Sequence, residues 1–177
     1  MPKKSTKLLA RRQFRKRDLL FVAALFGLIG AVAIISSFAA MQTTVEAETL
    51  TYSKATTAAG QNGGRAAALY WSTTGTGKVQ LPTKTTSVTV YAKGDQCQGA
   101  PRMTVSIDGQ EVTNQEVTST SWKAYQIPLN VEAGSRSISV GFINDGGLTG
   151  SGTDNQGIQA CDRNLYIDRL VFTGLDK

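Results

Sequence analysis

The chain has 177 residues, 41% hydrophobic and 18% charged, with a formal net charge of +6. Eight Lys and Arg fall within residues 1–18 against one acid, Asp18, while the rest carries eleven positive and twelve negative charges. The neutral body lacks the basic face that phosphate binding needs, which excludes nucleic acid as a partner. The absence of His removes imidazole acid–base chemistry, His-dependent nucleophile pairs and His-ligated zinc.

Residues 1–18 read as a basic cytoplasmic tail. Leu19 to Met41 follows as 23 residues without a charged side chain. As a helix rising about 1.5 Å per residue it is long enough for a hydrocarbon core of roughly 30 Å. The cations before it orient the tail inward and the body outward. Two readings stay open: an uncleaved membrane anchor, and a cleaved signal with small-x-small sites at Ser37-Phe38-Ala39 or Val45-Glu46-Ala47. Arg11-Arg12-Gln13-Phe14-Arg15-Lys16 also resembles a twin-arginine export signal, although a plain cluster of orienting cations is the favoured reading. Either route exports the body, to the cell surface if anchored and to the medium if cleaved.

Residues 42–48 read as a polar stalk and 49–177 as one domain. No segment of the body keeps an apolar 3.6-residue period, whereas period-two runs recur. Ser87–Val90, Met103–Ile107, Ser135–Phe142 and Asn164–Thr173 alternate in this way. Gly75-Thr76-Gly77, Leu81-Pro82 and Ala133-Gly134 mark breaks between runs, and Asp108-Gly109 is the strongest hairpin signal. About eight to ten short strands at this spacing predict an all-β antiparallel sandwich, a jelly roll, preceded by one N-terminal hydrophobic helix.

Cys97 and Cys161 are the only cysteines. In an exported domain the pair reads as a disulfide, the alternative being two buried thiols. A bridge would draw Gly94-Asp95-Gln96-Cys97 to Cys161-Asp162-Arg163-Asn164 and so bring Asp95 near Asp162. A third loop, Asn144-Asp145-Gly146-Gly147, ends the strand before Cys161. These loops offer hard oxygens and no nitrogen or thiolate, which is calcium chemistry; the same Asx residues are also ordinary turn formers. The spacing is not that of an EF-hand.

Taken together, Gly94-Asp95-Gln96-Cys97-x-Gly99-Ala100-Pro101-x-Met103-x-Val105-x-Ile107-Asp108-Gly109, Ser119-x-Ser121-Trp122-x-x-Tyr125, Phe142-x-Asn144-Asp145 and Cys161-Asp162-Arg163-Asn164-Leu165-Tyr166-Ile167-Asp168 carry a resemblance. The sequence is similar, from about residue 65 to 172, to calcium-dependent xylan-binding carbohydrate-binding modules of family 60 and the related family 36. The resemblance implies a jelly-roll sandwich in which vicinal sugar hydroxyls complete the shell of a calcium ion. It implies Asp95, Asp145 and Asp162 as ligands and as the sugar-binding residues, with Gln96, Asn144 and Asn164 contributing through side chain or backbone. One departure is that no aromatic residue lies between Phe142 and Tyr166.

Of the remaining aromatics, Trp122 is expected in the core. Of Tyr70-Trp71 one ring points inward and the other outward, Trp71 being the candidate for stacking on sugar. Arg163 is expected to pair with a carboxylate, and Asp168 to face solvent or pair with a cation. The leading expectation is a non-catalytic, calcium-dependent binder of a xylan-like polysaccharide or cell-surface glycan, monomeric and tethered to the membrane by its N-terminal helix. The alternative is an extracellular structural or adhesion module in which calcium only stabilises loops. An enzyme would rest on Asp95 and Asp162 alone as an acid–base pair.

Overall fold

Alternation of small or apolar with polar side chains, broken by Gly and Asx turns, builds strands throughout the body. A computed structural model describes residues 40–148 and 161–175. Among these described residues, eleven strands run in chain order: β1 Ala40–Glu46, β2 Thr56–Ala59, β3 Arg65–Leu69, β4 Thr73–Leu81, β5 Thr85–Asp95, β6 Arg102–Ile107, β7 Gln110–Glu116, β8 Lys123–Val131, β9 Gly134–Phe142, β10 Gly146–Leu148 and β11 Cys161–Leu175. One sheet has the order β2-β3-β11-β5-β8, with β1 and β10 also paired to β11; the other has the order β4-β9-β6-β7. Every pairing is antiparallel.

The two sheets share one core, as the sandwich expectation requires. Val88, Val90, Leu165, Ile167, Leu170 and Phe172 of the larger sheet join Val79, Leu81, Met103, Val105, Ile138, Val140 and Phe142 of the smaller in a single cluster. Successive strand residues point to opposite faces, so in β6 Met103, Val105 and Ile107 are buried between half-exposed neighbours. The Asp108-Gly109 hairpin forms as read: both residues have positive φ, 50° and 82°, and Ile107 pairs with Gln110. That is the backbone twist a two-residue hairpin turn demands.

Three expectations change. Gln42–Glu48 is not a stalk: Gln42 to Glu46 belong to β1, which pairs with β11 from Ala40↔Leu175 to Glu46↔Arg169, and Ala47 is fully buried in the core. Of the hydrophobic helix expected over residues 19–41, residues 19–39 lie outside the described residues, while Ala40 and Met41 are strand. No helix among the described residues is long and apolar enough to cross a membrane. Trp122 is not core either; it is half-buried just before β8, whereas Tyr125 three residues on turns inward and is 9% exposed.

Candidate functional site

The site begins with the disulfide, since it fixes which loops meet. Cys97 and Cys161 are bonded, their Cα atoms 5.5 Å apart. The bridge joins the loop after β5 to the first residue of β11, and Asp95 pairs with Asn164 in the β5–β11 register. Arg163, expected on a carboxylate, instead ties carbonyls together. Its Nη2 and Nε donate to Cys97 O at 2.7 and 3.1 Å, and its Nη1 donates to Asn144 O at 2.7 Å. A guanidinium fork binds two converging loop backbones well, and here it lashes the β5–β6 loop to the turn after β9.

Asp95 is exposed at the end of β5, on the outer face of the larger sheet. Its Oδ2 accepts hydrogen bonds from Tyr166 Oη at 2.8 Å and from Asn164 Nδ2 at 3.2 Å. Burial, together with this bond to the Asp95 carboxylate, pushes the Tyr166 phenol up, so it stays a donor at neutral pH. The other end of the Asn164 amide, Oδ1, is buried and has no hydrogen-bond partner. A buried carbonyl oxygen left unpaired is unfavourable unless a ligand takes it. Asp162 lies two residues along β11 from Asn164 and is exposed. It has a glycine opposite: β10 pairs Gly147 with Asp162, and a Cβ at Gly147 would sit 3.0 Å from Asp162 Oδ1.

The other expected ligands are placed differently. Asn144 is committed to backbone, its Oδ1 accepting from Arg102 N at 2.6 Å and its Nδ2 donating to Ala100 O at 3.0 Å. Gln96 Nε2 donates to Gly94 O and Val117 O at 2.9 and 3.1 Å. Both side chains brace the β5–β6 loop that follows Asp95. Asp145 is exposed at the rim, its N–H donating to Ser72 Oγ at 3.1 Å. Among the described residues, no group of three or more Asp, Glu, His or Cys side chains is gathered to hold a metal. The donors fit calcium in kind, since Asp95, Asp162 and the orphaned Asn164 Oδ1 are all hard oxygens.

Beside these oxygens lies an aromatic face that sequence reading missed. Tyr166 pairs with Lys93 of β5 and with Ala68 of β3. Trp122 stands one step beyond the Ala92↔Lys123 pair, next to Lys93. The Lys93 ammonium lies 5.0 Å from the Tyr166 ring centroid and 5.2 Å from that of Trp122. Tyr70 meets Tyr166 edge-on at 6.1 Å and Trp71 edge-on at 6.1 Å. Tyr70 therefore joins the outer face and does not enter the core. Trp71 is 47% exposed, as the outward ring was expected to be. Only the register reveals this row, because residues 70, 93, 122 and 166 are far apart in sequence. A shallow groove on the smaller sheet, about 530 Å³, has no aromatic lining; Thr76, Lys78, Ser106, Ser137 and Ser139 form much of it.

Asp168, at the bulge between Ile167 and Arg169, is 2% exposed. It pairs with Arg169 and accepts from Gln61 N at 2.9 Å, the cation-paired alternative.

Comparison with known proteins gives a family and a fold. A family model described as a calcium-dependent, xylan-binding carbohydrate-binding module matches residues 87–176. No curated protein matches the chain significantly. Among solved structures it is similar to the family 36 module of a multidomain xylanase from the hindgut metagenome of Trinervitermes trinervoides, at 19% identity and TM-score 0.56 over 77% of this chain and 100% of that one. A family 36 module in complex with calcium and xylotriose matches at 19% identity and TM-score 0.52, covering 73% and 98%. The C-terminal family 6 module of a marine laminarinase from Zobellia galactanivorans matches at 12% identity and TM-score 0.55, covering 76% and 100%.

Proposed function

Because the chain belongs to family 60 of the calcium-dependent, xylan-binding carbohydrate-binding modules, we propose that it captures a xylan-like polysaccharide at the outer face around Asp95. The observation that carries this reading is the buried, unpartnered Asn164 Oδ1 beside Asp95, bordered by the Tyr70–Tyr166–Trp122 aromatics. Asp95, Asp162 and Asn164 would hold calcium, with Asp145 at the rim; the bound ion would offer its open positions to vicinal sugar hydroxyls. This chain's own residues do the rest. Tyr166 and Asn164 orient the Asp95 carboxylate, Arg163 and the disulfide fix the loops, and the aromatic rings cover the apolar face of a pyranose. A neighbouring family 36 module holds calcium and xylotriose together, which supports the pairing of metal with sugar.

Electrophoresis of the protein through gels containing soluble xylan tests the assignment. Wild type should be retarded when calcium is present. Asp162→Ala should need at least about tenfold more calcium for the same retardation. Equal retardation of both proteins at every calcium concentration would contradict the ligand assignment.

The reading extends to an exported domain held at the cell surface. The cationic residues 1–18, the apolar run after them and the Cys97–Cys161 bridge support it. Protease outside intact cells should then remove the domain, and a protected domain would contradict it.

A further inference from the structure

Lys93 projects from β5 between Tyr166 and Trp122, 5.0 and 5.2 Å from their ring centroids. It is half-buried, and it has no ion pair among the described residues. The nearest acid along its own strand face, Asp95, is engaged by Tyr166 and Asn164. A second cation, Lys54, lies 5.8 Å from the Trp71 ring centroid at the other end of the aromatic string. The string therefore reads Lys54, Trp71, Tyr70, Tyr166, Lys93, Trp122: rings for sugar faces, with an ammonium near each end.

A neutral xylan chain gives such an ammonium nothing beyond ordinary hydroxyl contacts. A carboxylate carried on the glycan gives it a charge-assisted hydrogen bond, stronger because the rings displace water around the ammonium. We propose that Lys93 makes the site selective for uronate-bearing β-glycans, its Nζ taking the carboxylate of an acidic sugar while the flanking rings take the neutral backbone. This rests on the glycan-binding reading above and deepens it by naming the substrate class.

The test is calorimetry on the full-length chain in calcium, titrating two probes: an unsubstituted xylo-oligosaccharide and the same oligosaccharide carrying one glucuronic acid. Wild type should bind the acidic probe about tenfold more tightly at low salt, and the gap should shrink as sodium chloride rises. Lys93→Met should erase the gap, and Lys93→Arg should restore it, which separates a charge contact from a packing role. A variant that melts well below wild type is replaced in the comparison by Lys93→Gln. Equal affinities in wild type, or a gap that survives in the neutral variants, would overturn the role of Lys93 and leave xylan capture standing. Failure of wild type to bind either probe would overturn both.

Discussion

Tyr52 has a hydroxyl that is buried without a hydrogen-bond partner, and its ring lies over Gly75, where a Cβ would come within 2.2 Å of it. Burial, then the charge of Glu48, pushes the phenol up. In the unfolded chain it ionises near pH 10, so the unfolded state gives up this proton first. Stability is therefore fully present below about pH 10 and declines as pH rises beyond it. Tyr52→Phe removes the orphaned hydroxyl and should be neutral or stabilising by about 1 kcal/mol, with a shallower alkaline decline. Urea melts at pH 8 and above pH 10 check both; a clear loss of stability at pH 8 would mean that the hydroxyl is bonded. Phe142 and Trp122 form a sharper pair. Phe142 is 1% exposed between the sheets, so Phe142→Ala should destabilise by about 3–5 kcal/mol. Trp122→Ala should lose less than half of that, because its ring lies on the surface against Lys93, and its measurable deficit should be in glycan affinity.

At the level of elements, the bridge from Cys97 to Cys161 spans 64 residues. On the chain-entropy model it stabilises by roughly 4 kcal/mol. Removing it with Cys97→Ser and Cys161→Ser together should lower denaturation stability by about that much and weaken calcium binding, since the same bond fixes the loop carrying Asp95. Denaturant melts and a calcium titration of the double variant check the two effects separately. Strands with clean alternation, such as Met103–Ile107 and Ser135–Phe142, were legible in the sequence, as was the Asp108-Gly109 turn. β1 was not, because Gln42–Glu46 is polar at most positions and pairs with β11 alone. β3, Arg65-Ala-Ala-Ala-Leu69, has the composition of a helix; burial of Ala66 to Leu69 between neighbours overrides that propensity. The site shows the same division. Cys97, Cys161 and the acidic loops can be read from local motifs, whereas the aromatic face exists only through the pairings of β11 with β3 and β5 and of β5 with β8. The local motif also hid that Asn144 and Gln96 are bound to backbone, because sequence shows a side chain's donors but not their partners.

At the scale of the whole domain, the described residues form a sandwich whose longest strand, β11, holds much of the candidate site together: Asp162, Asn164 and Tyr166 lie on it, and it begins at the disulfide. A ligand that binds only the folded form stabilises it by mass action. Saturating calcium should therefore raise the melting temperature, reversibly with chelator. Stabilisation alone would also fit a structural or adhesion module, so the central claim is glycan capture that depends on the ion. Titration calorimetry with xylohexaose, in calcium and then in excess chelator, tests it most directly. The account predicts saturable binding in calcium that disappears with chelator and returns when calcium is restored. Binding that survives chelation, or calcium stabilisation with no binding of the sugar, would contradict it.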